Sequence, residues 1–239
     1  MVLADWWDRV TGRAGKREVF PALFGEAAVY AMPAGDGSLV RMLNVGGVLQ
    51  SATYLDERWA TCPFAYLRSF DHLFEAALPE VPDPLIVNRV LMLGGAGFAY
   101  PKQLLLEHPG VALDVVEIDP AMVQIARERF FLDRLETQLA AEGRADDLRI
   151  FVEDGEAFLR RSDGAPYDVI INDVFVGREA APFFASDEGI ACARARLTPG
   201  GLLMANCVVE YTGDAMYRLF SQVERLRDHF ANVYVIDAS

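Results

Sequence analysis

The chain has 239 residues, 52% of them hydrophobic, and carries 22 Lys and Arg against 35 Asp and Glu, a net charge of −13 at pH 7. That length holds one large α/β domain and a small extension with ample core, while the acidic balance argues against a nucleic-acid partner, which needs a basic face. Cys62, Cys192 and Cys207 lie far apart with no CxxC pair, and His72, His108 and His229 are equally scattered, so no metal site or disulfide framework is expected.

In chain order, residues 1–87 read as a β-rich unit with a linking helix, and residues 88–239 as a nucleoside-binding domain. Apolar-rich runs at 27–32 and 39–43 flank Pro33-Ala-Gly-Asp-Gly-Ser38, a hairpin connector, and a third run at 48–54 follows Gly46-Gly47. Trp59, Phe64, Leu67, Phe70 and Phe74 recur at helical spacing, which predicts a helix over 57–77, and Pro79, Pro82 and Pro84 punctuate the linker beyond it. Strands are then expected at 90–93, 113–117, 148–153, 169–172, 202–206 and 233–236, with helices near 102–107, 121–130, 156–161, 187–196 and 214–229. Strands separated by helical crossovers imply a mainly parallel, doubly wound, Rossmann-like α/β sheet. In one common variant of such sheets a seventh, antiparallel strand follows the sixth, and no run after 233–236 corresponds to it. No apolar stretch approaches the roughly 20 residues of a membrane span, and Asp5-Trp6-Trp7-Asp8 is unlike a signal peptide. A cytoplasmic protein with no membrane partner is expected.

The chemistry gathers at the ends of the expected strands, where such sheets bind ligands. The first strand runs into Gly94-Gly95-Ala96-Gly97, glycines that let backbone pass close to a ligand. The second ends on Glu117, placed to accept hydrogen bonds from ribose hydroxyls. A dinucleotide fingerprint read from Gly95 would need glycine at position 100, where Tyr100 stands, so the turn suits the adenosine of a sulfonium cofactor better than a pyrophosphate. Asp154-Gly155 follows the third strand, with Asp154 placed to accept from an adenine amino group, and Ile118 and Phe175 are apolar candidates to sandwich the ring. Asp119, before Pro120, reads as a helix N-cap, and capping is a competing role for Asp154. Asp173 follows the fourth strand. A carboxylate there can take a proton from an alkylammonium, whose pKa of about 10 leaves it without a free lone pair at neutral pH.

These motifs, in this order, resemble the spermidine synthase family over nearly the whole chain, on the class I methyltransferase type of Rossmann-like fold. The matching segments are Leu43-Asn-Val-Gly-Gly-Val-Leu-Gln50-Ser51 with Asp56-Glu57, Gly94-Gly95-Ala96-Gly97, Val116-Glu117-Ile118-Asp119, Glu153-Asp154-Gly155 and Tyr167-Asp-Val-Ile-Ile-Asn-Asp173. The resemblance implies a polyamine-biosynthesis transferase that moves an aminopropyl group from decarboxylated S-adenosylmethionine to an amine, without a metal. It makes Asp173 the catalytic base and Gln50 a contact to the aminopropyl end. Gly97 departs from the pattern, standing where the family carries an Asp that pairs with the aminopropyl nitrogen. Val174-Phe-Val-Gly177 replaces a run with a second acid, and Ala60 stands near an expected Tyr.

Three functions follow. The first is aminopropyl transfer to a small-molecule amine. The second is methyl transfer from S-adenosylmethionine, because Gly97 removes a charge that would repel the methionine carboxylate. The third is nucleoside binding without catalysis. A homodimer is expected from the family resemblance and from the apolar Trp6, Trp7, Phe20 and Phe24.

Overall fold

A computed structural model describes residues 17–75, 85–161, 163–176, 179–208 and 212–238. The expectations on Trp6, Trp7, Pro79, Pro82 and Pro84, and on the end of the 57–77 helix, lie outside the described residues. In chain order the elements are β1 (Glu18–Ala22), β2 (Gly25–Pro33), β3 (Leu39–Val45), β4 (Val48–Tyr54), α1 (Ala65–Arg68), α2 (His72–Glu75), β5 (Arg89–Leu93), α3 (Ala99–Glu107), β6 (Ala112–Glu117), α4 (Pro120–Arg129) and α5 (Leu132–Ala141). There follow β7 (Leu148–Val152), α6 (Gly155–Arg160), β8 (Tyr167–Asn172), β9 (Phe175–Val176), β10 (Glu179–Ala180), α7 (Asp187–Ala195), β11 (Leu197–Ala205) and α8 (Gly213–His229). The described residues form two compact units: one from residues 17–68, Gly95–Gly110 and Asp119–Leu148, the other from those within 69–94, Val111–Ile118 and those within 149–238.

The first unit holds an antiparallel sheet in the order β1-β2-β3-β4. Gly46 and Gly47, both at positive φ, close the two-residue turn between β3 and β4, a geometry that suits glycine. Ala27, Val29 and Leu43 from the sheet pack with Met122, Ile125 and Phe130 from α4 and the residue after it. At one edge of this core Arg129 pairs with Glu18 at 2.7 Å and lies 5.6 Å above the Phe20 ring. Leu132, Leu135 and Leu139 are buried along α5, a helix whose periodicity is legible in the sequence though not among the helices expected from it.

The second unit holds a five-stranded sheet in the order β11-β8-β5-β6-β7, parallel at β11-β8, β8-β5 and β5-β6. β5, β6 and β8 are buried almost end to end, as parallel strands covered on both faces must be. Phe158 and Leu159 of α6 and Ala193 of α7 join Leu91, Leu93, Val116, Tyr167 and Ile170 in its core. Asp114 on β6 is buried and accepts from Arg149 at 2.7 Å, from Arg89 at 3.0 Å and from the Tyr167 hydroxyl at 2.6 Å. Burial works to raise its pKa, but these donors together outweigh burial and hold it below the usual carboxylate range.

Two expectations are corrected. The helix expected from residue 57 begins only at Ala65, because Pro63 biases the residue before it away from helical geometry and residues 56–61 close turns instead. Residues 233–236 form no strand: Tyr234, Val235 and Ile236 are exposed, and β propensity without a neighbouring ladder does not make a strand. The last strand is longer than expected, with its register shifting between Leu197 and Leu202, where Thr198-Pro-Gly-Gly201 lies.

Lys102 is the least expected core residue. It is 1% exposed, and its Nζ donates to Thr53 Oγ1 at 2.9 Å and to the Phe130 carbonyl at 2.7 Å. Burial pulls its pKa down to about 7; Cys62 opposes that shift and Arg41 adds to it. The unfolded chain therefore holds a proton between pH 7 and 10 that the folded one releases, so this residue's contribution to stability rises with pH across that window. Above about pH 9 the raised pKa values of Cys207 and Tyr167 act in the opposite sense. Urea unfolding should become harder from pH 7 to 9, by about 2 kcal/mol at most, and Lys102→Met should remove that slope and be no less stable at pH 7. An unchanged slope in the variant contradicts this reading of Lys102.

Candidate active site

Because the strands of the five-stranded sheet run parallel, their carboxyl ends line one edge. Along the sheet order those ends are Asn206, Asp173, Gly94, Glu117 and, two residues past β7, Asp154. The chain lays β6 and β7 on one side of β5, then returns to place β8 and β11 on the other. The strand order thus reverses between β5 and β8, which is where open α/β sheets bind ligands. Gly94 and Asp173 occupy that reversal point. The Asp173 N–H donates to the Leu93 carbonyl at 3.0 Å, and Gly94 has φ +89°. A Cβ on Gly94 would lie 2.7 Å from the Asp173 carbonyl oxygen, so no side chain fits there without moving backbone.

The structure places Glu117 at the end of β6, 7% exposed, with its carbonyl accepting the Glu153 N–H at 3.1 Å, a bond that ties the ends of β6 and β7. Ile118 follows at 38% exposure, an apolar side chain at the same edge. Asp154 is exposed, and its Oδ1 accepts the Ala157 N–H at 2.8 Å as the N-cap of α6. Gly155 opens that helix, with Phe184 3.0 Å from where its Cβ would stand. Phe175 is half-buried at the start of β9. Asp119 is the cap expected of it, accepting from Ala121 at 2.9 Å and, through its other oxygen, from Leu23 at 2.7 Å.

In the first unit, Gln50 sits at an irregularity of β4. Leu43 pairs with Ser51 but Asn44 pairs with Leu49, so Gln50 is the extra residue of a β-bulge, a device that re-aims a side chain. In the glycine turn, Ala96 and Phe98 share the left-handed conformation (φ 42° and 54°), and the Phe98 N–H donates to the Gly95 carbonyl at 2.7 Å. A Cβ on Gly97 would lie 2.6 Å from Ser51 Oγ and 2.7 Å from Ser51 Cβ. The glycines at 94 and 97 are therefore demanded by close protein neighbours, a reason that sequence spacing does not distinguish from close approach of a ligand.

Asp173 carries the strongest electrostatic signature at this edge. Burial raises its pKa to about 7, opposed among the described residues by one hydrogen bond from Asn206 Nδ2 to its Oδ1 at 2.9 Å. Sequence reading takes Asn206 only as the end of a strand. The available signal is an amide residue at the carboxyl end of the strand that neighbours the one bearing Asp173. Among the described residues no cluster of side chains could hold a metal ion, and no helix is long and apolar enough to cross a membrane.

No protein-family model matches the chain. A polyamine aminopropyltransferase of Vibrio vulnificus is 27% identical over 163 residues, 67% of this chain and 49% of that protein. A putrescine N-methyltransferase of Nicotiana tabacum is 31% identical over 111 residues, 46% of this chain and 26% of that protein. The chain thus spans about half the length, or less, of these curated relatives. The crystal structure of a probable spermidine synthase from Corynebacterium glutamicum superposes with a TM-score of 0.70 at 22% identity, covering 91% of this chain and 72% of that one, a likeness of fold. In sequence and in fold the chain is spermidine-synthase-like: a parallel α/β sheet preceded by a small antiparallel one.

Proposed function

We propose that the protein is a transferase that takes an adenosyl sulfonium as co-substrate and moves an aminopropyl group from decarboxylated S-adenosylmethionine to a small amine. The observation that carries this reading is Asp173, a desolvated carboxyl at the reversal point of the sheet with a pKa of about 7. The similarity to a polyamine aminopropyltransferase supports the choice of reaction.

Glu117 accepts from the ribose hydroxyls, Ile118 packs on the adenine, and Asp154 at the start of α6, beside Gly155, accepts from the adenine amino group. Gly94 allows the turn beside Asp173. The roles of Gln50, Gly95 and Gly97 rest on the resemblance alone. Ionised Asp173 takes a proton from the acceptor ammonium. The freed nitrogen lone pair then forms a bond to the carbon beside the sulfonium, the C–S bond breaks, and its electron pair leaves on sulfur as neutral methylthioadenosine. A base with a pKa near 7 suits this step, since it is available at neutral pH and still accepts a proton readily.

Methyl transfer is the second reading, and one observation favours it. Ser51 crowds the Cβ position of residue 97, so this backbone has no room for an acid there to select the decarboxylated co-substrate, and a putrescine N-methyltransferase is among the relatives. Calorimetry separates the readings. The decarboxylated sulfonium and methylthioadenosine should bind, and Glu117→Ala should weaken both by about tenfold to a hundredfold. Tighter binding of full S-adenosylmethionine turns the assignment to methyl transfer. Equal affinity in wild type and Glu117→Ala sinks the nucleoside site.

Asp173→Asn separates a base from a structural cap. Because the folded pKa of Asp173 is raised, the folded protein loses stability as pH climbs from about 4 to 7, a cost the neutral amide avoids. The variant should melt at or above wild type at pH 8, with the gap closing towards pH 4, while turnover falls about 10²–10⁴-fold. A lower melting temperature with unchanged turnover per folded molecule refutes the base role.

We also propose a cytoplasmic homodimer. Leu23 and Phe24 are exposed at the β1–β2 turn, an apolar surface suited to a second copy. Light scattering at micromolar concentration should report twice the 26.4 kDa of the chain, and a monomer overturns the dimer.

A further inference from the structure

We propose that Asn206 is a positioning residue, holding the Asp173 carboxylate in one rotamer with a single oxygen left for the acceptor; this rests on the reading of Asp173 as the base. β11 pairs with β8 through Met204 opposite Ile171 and Ala205 opposite Asn172. The ladder extends one step further, with the Asn206 N–H donating to the Asn172 carbonyl at 3.0 Å, and this sets residue 206 beside residue 173. From there Asn206 Nδ2 donates to Asp173 Oδ1 at 2.9 Å. The Asp173 backbone is locked from the opposite side by Leu93 and Gly94. One neighbouring strand therefore fixes the main chain of Asp173 and the other fixes its side chain. Among the described residues Oδ2 accepts no hydrogen bond.

The chemical type of Asn206 fits this task. An amide donates at every pH and carries no charge, so it orients the carboxylate while lowering its basicity less than an arginine would. The titratable groups on the strands flanking Asp173 are few. Arg89 on β5 and Tyr167 and Asp168 on β8 lie at the far, amino-terminal end of the sheet, and the Cys207 thiol, next to Asn206, is kept protonated by burial. None of them contributes to the raised pKa of Asp173, which burial drives and, among the described residues, Asn206 opposes.

The test titrates the Asp173 carboxyl by carbon NMR in the full chain, difference-assigned with Asp173→Asn, in wild type and Asn206→Leu. The rate profile against pH is measured in parallel with decarboxylated S-adenosylmethionine and putrescine. Removing the donor should raise the Asp173 pKa by about one to two units and carry the acid limb of the rate profile up with it. Turnover at pH 7 should fall about tenfold or more, with co-substrate affinity unchanged. Asn206→Ala, read in the same way, covers the case in which the leucine does not pack. An unmoved Asp173 titration in a folded variant overturns the proposal whatever the rate does. A shifted titration with an unmoved acid limb overturns the base reading beneath it.

Discussion

The carboxyl edge of the sheet depends on how closely β5 and β8 approach at their ends. The Asp173 N–H bonds to Leu93, and its carbonyl occupies the space a Cβ at residue 94 would fill. That contact needs glycine at 94, which at φ +89° is also the residue least strained by the backbone there. It fixes Asp173 at the point where the strand order reverses, with the ends of β6 and β7 following in order on the far side of β5. One steric constraint thus sets the first glycine of the turn and the place of the acid together.

Two acids of this unit, Asp114 in the sheet and Asp173 just past it, are handled in opposite ways. Asp114, on β6, meets two guanidiniums and a phenol, which together outweigh burial and hold it ionised. Asp173 meets one neutral amide, which does not outweigh burial, and its pKa rises to about 7. Burial alone does not set the direction of an acid's shift; the number and charge of the donors do. Lys102, in the other unit, follows the same rule with the sign reversed: among the described residues a hydroxyl and a carbonyl, but no carboxylate, are hydrogen-bonded to its ammonium.

Much of this was legible in the sequence because the relevant signals are local. Runs such as 90–93, 113–117 and 169–172 are apolar enough to read as buried strands, and the residue after such a strand lies at the ligand-binding edge whatever surrounds it. Asp119 before Pro120 is a cap by local chemistry alone. The parts not legible depend on long-range neighbours. The Val-Tyr-Val-Ile run at 233–236 has strand composition but no ladder to join. The need for glycine at 97 comes from Ser51, which is remote in sequence. The donor to Asp173 stands 33 residues away, and the bulge at Gln50 is visible only once β3 and β4 are in register.

The roles of Glu117 and Asp173 both turn on where an adenosine sits. A crystal structure of the protein with methylthioadenosine tests this most directly. The account predicts both ribose hydroxyls within about 3.2 Å of the Glu117 carboxylate, with the thioether sulfur directed towards Asp173. Well-ordered ligand bound elsewhere, with Glu117 making no contact to the ribose, would contradict it.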